Sequence, residues 1–398
     1  MTQEATTPIV NAVGVPSGSA AFPQLFRPLQ LRGVTLKNRL FFPAMGIDLA
    51  HQDGTFSGEL SDFYWRIARS GCGLVVLSNA SVSPRSILQL HGLRLFEPAH
   101  AAALGTFLSG CAADDAVIAV QLQHYGGQAT TTHTGLPLLT PSGIGSAPSM
   151  KRDAAYRTQA MTHADIADVV AQFAQATRLA VEAGARFVQL QASNGYLLAS
   201  FLSQYTNKRD DAYGGSPERR AQFVVEVVRA VRRELGPERA LGLRIGINDC
   251  IGDAGLSAKD FRNVAPLLEA AGVDLFEASI SIAESFHRLI ERTDERQAFL
   301  EDEVGTFKAF ATVPVGFAGF VDSLAKAERY VASGLADTVG MARALFADND
   351  LIHKTLAGQG ATIDRCLWDG KCFKDKSNPA YGRVYCCVNP RYKRPALS

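Results

Sequence analysis

The stretch that decides the fold is RFVQLQASNGYLLASFLSQ, residues 186–204. The apolar run RFVQL at 186–190 ends in a polar cluster, Gln191, Ser193 and Asn194. Gly195 then offers a turn, and Tyr196 leads into the greasy segment LLASFL. A buried strand that breaks into a polar turn and restarts as a helix is the repeating unit of α/β folds. Two amides and a phenol gathered at such a break are either turn chemistry or groups aimed at a ligand.

Working outward, the same pattern recurs. Apolar strand candidates stand at RLFFPAM (39–45), GLVVLSNA (73–80), AVIAVQLQ (116–123) and RFVQLQA (186–192). They continue at LGLRIGI (241–247), DLFEASI (274–280), VPVGFAG (313–319) and DTVGMA (337–342). Runs apolar at nearly every position suit parallel strands covered on both faces. Helical patterns lie between them. Thr162 and Asp165 form a capping box for a helix over 163–183 that stops at Gly184. Ser216 and Pro217 start a helix over 217–235 that ends at Gly236. Ser257 and Asp260 open a helix over 258–271 with a kink expected at Pro266, and Asp322 is expected to cap 323–333. Eight such units predict a (β/α)8 TIM barrel over residues 23–360. A flexible tail at 1–22 precedes it, and a cysteine-containing extension at 361–398 packs on it. A doubly wound sheet is the alternative, but no Gly-x-Gly-x-x-Gly follows an early strand.

The composition narrows the partners. Of 398 residues, 47% are hydrophobic and 20% charged, and 40 basic against 39 acidic residues leave a net charge of +1. That balance argues against nucleic acid and anionic membranes, and no apolar run approaches the roughly 18 residues of a membrane span. The opening MTQEATTPIVNAVGVPSGSA has no basic start or apolar core of a leader, so a cytoplasmic enzyme acting on a small molecule is expected, with a homo-oligomer left open. Seven cysteines fit a reducing compartment.

A barrel of this kind places its chemistry at the carboxyl ends of the strands. Read in order, those ends supply Met45 and Gly46, Asn79, Gln121, then Gln191, Asn194 and Tyr196, then Arg244, Ala318 and Gly319, and Ala342 and Arg343. The set has no nucleophile paired with a base, which argues against hydrolysis. It does suit an electron-rich organic cofactor carrying a phosphate, held near the last two strands. Gly319 also reads as an ordinary turn glycine, and Arg343 as the partner of a surface acid. Gln121 and Arg244 are harder to dismiss, because a buried amide or guanidinium must find partners.

The residues also carry a resemblance. From LFRPLQLRGVTLKNRLFFPAMG to ALFADNDL, and above all in NGYLLASFLSQYTNKRDDAYGGSPERR at 194–220, the chain resembles the old yellow enzyme family of FMN-dependent ene-reductases. In style it is closest to single-domain relatives of 2,4-dienoyl-CoA reductase. The resemblance implies FMN as cofactor and NAD(P)H as hydride donor. It implies that Pro43, Ala44, Met45 and Gly46 pack on the flavin ring, with Asn79 near its O4. Gln121 and Arg244 would meet the pyrimidine edge, and Ala318, Gly319, Ala342 and Arg343 the phosphate. Asn194 and Gln191 would bind the carbonyl of an α,β-unsaturated substrate, and Tyr196 would donate the proton. Gln191 stands where the family has His or Asn, Gly46 where it has Thr or Cys, and Gly127 where it has Arg. His124 reads as structural. The same resemblance extends to a desaturase, isomerase or demethylase on the same fold.

The tail CLWDGKCFKDKSNPAYGRVYCCVNP is similar to the iron–sulfur segment of larger relatives. Cys366, Cys372 and Cys386 match three ligands, while Asp369 holds the second ligand position and Cys387 is out of place. A cluster prefers four thiolates, so no iron–sulfur cluster and no other metal is expected. The chain ends at residue 398, short of the further flavin and nucleotide domains of such relatives. Electrons are therefore expected from NAD(P)H or an outside donor.

Overall fold

The computed structural model describes residues 18–113, 115–376 and 383–393. Residues 1–17 of the expected tail, and 377–382 and 394–398 of the extension, lie outside the described residues.

Eight parallel strands close into a barrel in chain order. They are β1 (Leu40–Phe42), β2 (Leu74–Ser81), β3 (Val117–Gln123), β4 (Phe187–Ala192), β5 (Ala240–Asn248), β6 (Leu275–Ile280), β7 (Val315–Ala318) and β8 (Thr338–Gly340). Six fall inside the apolar run expected for them, while β2 runs one residue past its own and β5 one residue past each end. The helices outside are α1 (Gly58–Ala68), α2 (Pro98–Ser109), α3 (His163–Glu182), α4 (Pro217–Leu235), α5 (Val264–Ala271), α6 (Asp294–Lys308), α7 (Leu324–Ala332) and α8 (Ala342–Ala347). Stripes such as Val224, Val227, Val228 and Val231 on α4 are buried against the strands.

The starts of α3 and α4 follow their sequence signals. Thr162 Oγ1 accepts the Asp165 N–H at 3.1 Å, and Asp165 Oδ2 accepts the Thr162 N–H at 2.8 Å. Ser216 Oγ accepts the Arg219 N–H at 3.4 Å. Two expectations need correction. The helix expected at 258–271 is a 3₁₀ segment, Ala258–Arg262, followed by α5. The break falls at Asn263, and Pro266 sits in the first turn of α5, where its missing N–H costs no helical hydrogen bond. The cap of α7 is Ser323, whose side chain accepts the Lys326 N–H, while Asp322 pairs with Arg292 at 2.6 Å.

A hairpin of Leu29–Leu31 and Val34–Leu36 went unread in the sequence because each strand is only three residues long. Its Leu29, Leu31, Val34 and Leu36 join Phe41, Leu74, Val76, Ala119, Phe187 and Leu275 in one buried apolar cluster. That cluster fills the amino-terminal end of the barrel, so the open end is the carboxyl end.

Replacing Thr162 with Ala removes the side-chain half of the α3 cap. The unfolding free energy should fall by about 1 kcal/mol, read as a lower urea midpoint with an unchanged slope.

Candidate active site

At the carboxyl ends, one cavity is lined by every residue expected there. Pro43, Ala44, Met45, Gly46, Asn79, Gln121, Gln191, Asn194, Tyr196, Arg244, Ala318, Gly319, Ala342 and Arg343 all border it.

Its floor is a chain of polar groups above the apolar plug. Gln121 Nε2 donates to Gln189 Oε1 at 2.6 Å, and Gln189 Nε2 donates to Glu277 Oε2 at 2.9 Å. Glu277 Oε1 lies 3.4 Å from Arg244 Nε, and Arg244 Nη1 donates to the Ala44 carbonyl at 3.1 Å. Strand register explains the meeting, because Gln121 pairs with Gln189, and Arg244 pairs with both Gln191 and Glu277. Three atoms of this floor remain without a hydrogen-bond partner among the described residues, Gln121 Oε1, Arg244 Nε and Glu277 Oε1, the last two facing each other as an ion pair.

The wall at β2 is shaped by a bulge between Leu77 and Ala80. A bulge re-aims side chains beside a site. Here the Ser78 N–H donates to the buried Tyr64 hydroxyl on α1 at 2.5 Å, and Asn79 Nδ2 donates to the Tyr125 hydroxyl at 2.9 Å. Tyr125, which sequence reasoning missed, lines the cavity, and its ring meets Tyr196 edge-on at 5.4 Å. Burial raises its phenol well above the ordinary value, with Tyr196 adding to the effect.

The turn after β4 divides its two amides between different tasks. Gln191 Oε1 accepts from Ser193 N and Oγ at 3.0 and 2.6 Å, which directs its NH2 group elsewhere. Asn194, at φ +56°, gives its Nδ2 to the Ile280 and Ser281 carbonyls at 3.3 and 3.4 Å. Gly195 is required, since its φ is +75° and a Cβ there would stand 2.8 Å from Gln128 Nε2. The rest of the long motif is scaffolding. Asn207 holds the Phe201 and Tyr213 carbonyls, and Arg220 holds those of Leu202 and Gly215.

At β8, Arg343 meets no acid among the described residues. Its guanidinium donates to the Leu289 and Ile290 carbonyls at 3.0 and 2.7 Å and stacks over Trp368 at 4.4 Å. The roof comes from segments whose role was unread. In the charged stretch 283–303, Phe286 and Leu289 line the cavity, and Phe286 packs edge-on against Phe373 of the extension at 4.9 Å. An apolar i, i+3 pair inside a charged run was the available signal. In the extension, Cys366 Sγ accepts the Trp368 N–H at 3.4 Å, and the Cys387 thiol donates to Asp369 Oδ2 at 3.5 Å. Among the described residues no three His, Cys, Asp or Glu side chains gather to hold a metal.

A model of the family described as NADH:flavin oxidoreductase / NADH oxidase matches residues 24–360. The chain belongs to this family. The family, by its description, joins flavin to NADH in oxidoreductases. The NADH oxidase of Thermoanaerobacter brockii is 29% identical over 385 residues, which is 93% of this chain and 56% of that protein. The NADPH dehydrogenase of Geobacillus thermodenitrificans (strain NG80-2) is 31% identical over 326 residues, 81% of this chain and 90% of that one. A 2-naphthoyl-CoA reductase solved with 2-naphthoyl-CoA superposes with a TM-score of 0.84 at 25% identity, covering 93% of this chain and 57% of its own. The chain thus spans a little over half the length of the first and third of these.

The floor fits a flavin. A pyrimidine edge offers one N–H donor and neighbouring acceptors, and the orphaned Gln121 Oε1 supplies one acceptor while the Arg244 guanidinium, on the same cavity, supplies a cationic donor. Gln121, Arg244 and the β1 segment from Pro43 to Gly46 would hold the ring.

His124, just past β3, serves the frame, as expected. Its Nδ1 accepts the Gly126 N–H at 3.1 Å, and its carbonyl accepts the Leu197 N–H at 3.0 Å, tying the β3 and β4 turns together. Burial pushes its imidazole down to about 3, with Arg85 adding to the effect. The unfolded chain, near the ordinary 6.5, binds a proton that the folded chain refuses. Stability is therefore complete above pH 6.5 and declines as pH falls toward 3, at a slope approaching ~1.4 kcal/mol per pH unit. His124→Asn, which retains an acceptor for Gly126, should flatten that slope in denaturation curves between pH 4 and 6.5.

Proposed function

We propose that this barrel reduces the carbon–carbon double bond of an α,β-unsaturated carbonyl compound, with Tyr196 as proton donor. The observation that carries the reading is the placement of Tyr196 and Gln191 on the same cavity as Gln121 and Arg244, under apolar walls. FMN, when bound, supplies hydride acquired from NAD(P)H.

The chain's own groups do the rest. Gln191, its Oε1 held by Ser193, turns its NH2 group toward the substrate carbonyl, where negative charge grows as the β-carbon is reduced. A neutral amide stabilises that charge less than a histidine cation would. Asn194 borders the same cavity and would join Gln191 at the substrate carbonyl, while its Nδ2 also reaches the Ile280 and Ser281 carbonyls at the β6 end. Tyr196, fixed edge-on by Tyr125, gives its hydroxyl proton to the α-carbon. The aromatic and aliphatic walls, Leu88, Phe286, Leu289 and Trp368 among them, exclude water and favour a flat, largely apolar substrate. Arg343 with Ala318, Gly319 and Ala342 forms the end suited to the cofactor phosphate.

Tyr196→Phe should slow reoxidation of the reduced enzyme by an enone such as cyclohexenone by about 10²-fold or more, with flavin reduction by NADPH nearly unchanged. Stopped-flow absorbance separates the two half-reactions, and an unaltered reoxidation rate removes Tyr196 from the role. Bleaching of the flavin by a saturated ketone without NAD(P)H would instead favour the desaturase direction.

A further inference from the structure

Glu277 lies in mid-strand on β6, 3% exposed, and none of the roles described above employs it. It is nonetheless the one group in the floor that can only accept hydrogen bonds when ionised. That asymmetry has consequences along the chain. With Glu277 Oε2 as acceptor, Gln189 must direct its NH2 group toward Glu277 and its oxygen toward Gln121. Gln121 must then donate to Gln189, which leaves its Oε1 as the orphaned acceptor of a side chain that lines the cavity. On the other flank, the second carboxylate oxygen stands 3.4 Å from Arg244 Nε and balances the guanidinium charge.

We propose that Glu277 is a positioning residue for the flavin: it sets the direction of the Gln189–Gln121 amide chain and offsets the charge that Arg244 presents to the pyrimidine edge. The proposal rests on the FMN reading of this cavity and adds a determinant of its redox potential. Without the carboxylate, both amides can reverse, and Gln121 would then turn a donor toward the flavin N–H. Arg244 would carry an unbalanced charge beside the ring edge that gains electron density on reduction. Reduced flavin would be favoured over oxidised flavin, and the midpoint potential would rise.

The test uses the full chain reconstituted with FMN, in three variants. Glu277→Gln should bind oxidised FMN about tenfold more weakly, measured by recovery of free-flavin fluorescence on dilution. Its midpoint potential should rise by about 30 mV, the equivalent of a tenfold shift in the ratio of oxidised to reduced affinities for a two-electron couple. Gln189→Leu breaks the amide chain but keeps the ion pair, so FMN binding should weaken while the potential holds. Glu277→Asp keeps the charge and should stay near the wild-type potential, and it remains informative if the glutamine variant does not fold. A folded, FMN-loaded Glu277→Gln protein with wild-type potential and affinity overturns the proposal while the flavin reading stands. A wild-type chain that binds no FMN overturns both.

Discussion

The constraint on which the rest depends is that a closed parallel barrel has no water inside to satisfy a polar group. Each interior side chain must be apolar or must find its partner on a neighbouring strand. The lower end obeys the first rule, with Leu29, Leu31, Phe41 and Phe187 in the plug. The layer above it obeys the second, with Gln121, Gln189, Glu277 and Arg244 bonded across four adjacent strands. The change from apolar to polar packing marks where core ends and site begins. Gln121, which keeps an unmatched oxygen, and Arg244 both line the cavity, so the unmet hydrogen bonding of the fold lies where a ligand can answer it.

Much of this was legible in the sequence. Strands β1 to β8 each announced themselves as short apolar runs, because burial on both faces leaves little room for polar residues. Gln121 and Arg244 stood out for the same reason. Glu277 is as improbable inside DLFEASI as Arg244 is inside LGLRIGI, yet it was passed over, because its partners lie 33 and 88 residues away and only strand register joins them. The hairpin at 29–36 was too short to show a period. The bulge that turns Asn79 inward depends on a hydroxyl from α1, a contact that no local pattern encodes. Tyr125 was hidden by position, since one residue past a strand end a tyrosine reads equally as packing.

The longest recognisable motif shows how a family signature and a catalytic site differ. Of the stretch at 194–220, Tyr196 faces the cavity directly, whereas Asn207, Arg209 and Arg220 clamp backbone carbonyls. The clamps hold the β4 turn against the loops before α3 and before α4, and so hold the phenol in place. The motif is long because rigidity is distributed over many residues, while the chemistry is confined to few. Gln191 departs from the family's usual residue within that rigid frame, so a change of donor there alters the pull on a carbonyl without moving the phenol.

The roof follows a different logic. Trp368 and Phe373 come from chain beyond the last barrel helix and close over Arg343 and Phe286. During synthesis from the amino terminus, at roughly 5–20 residues per second, all eight strands leave the ribosome before that segment does. For a short interval the nascent barrel is a finished cup without its cover. A bulky planar cofactor has that interval in which to enter from above, and the residues that emerge after the barrel then shut it in.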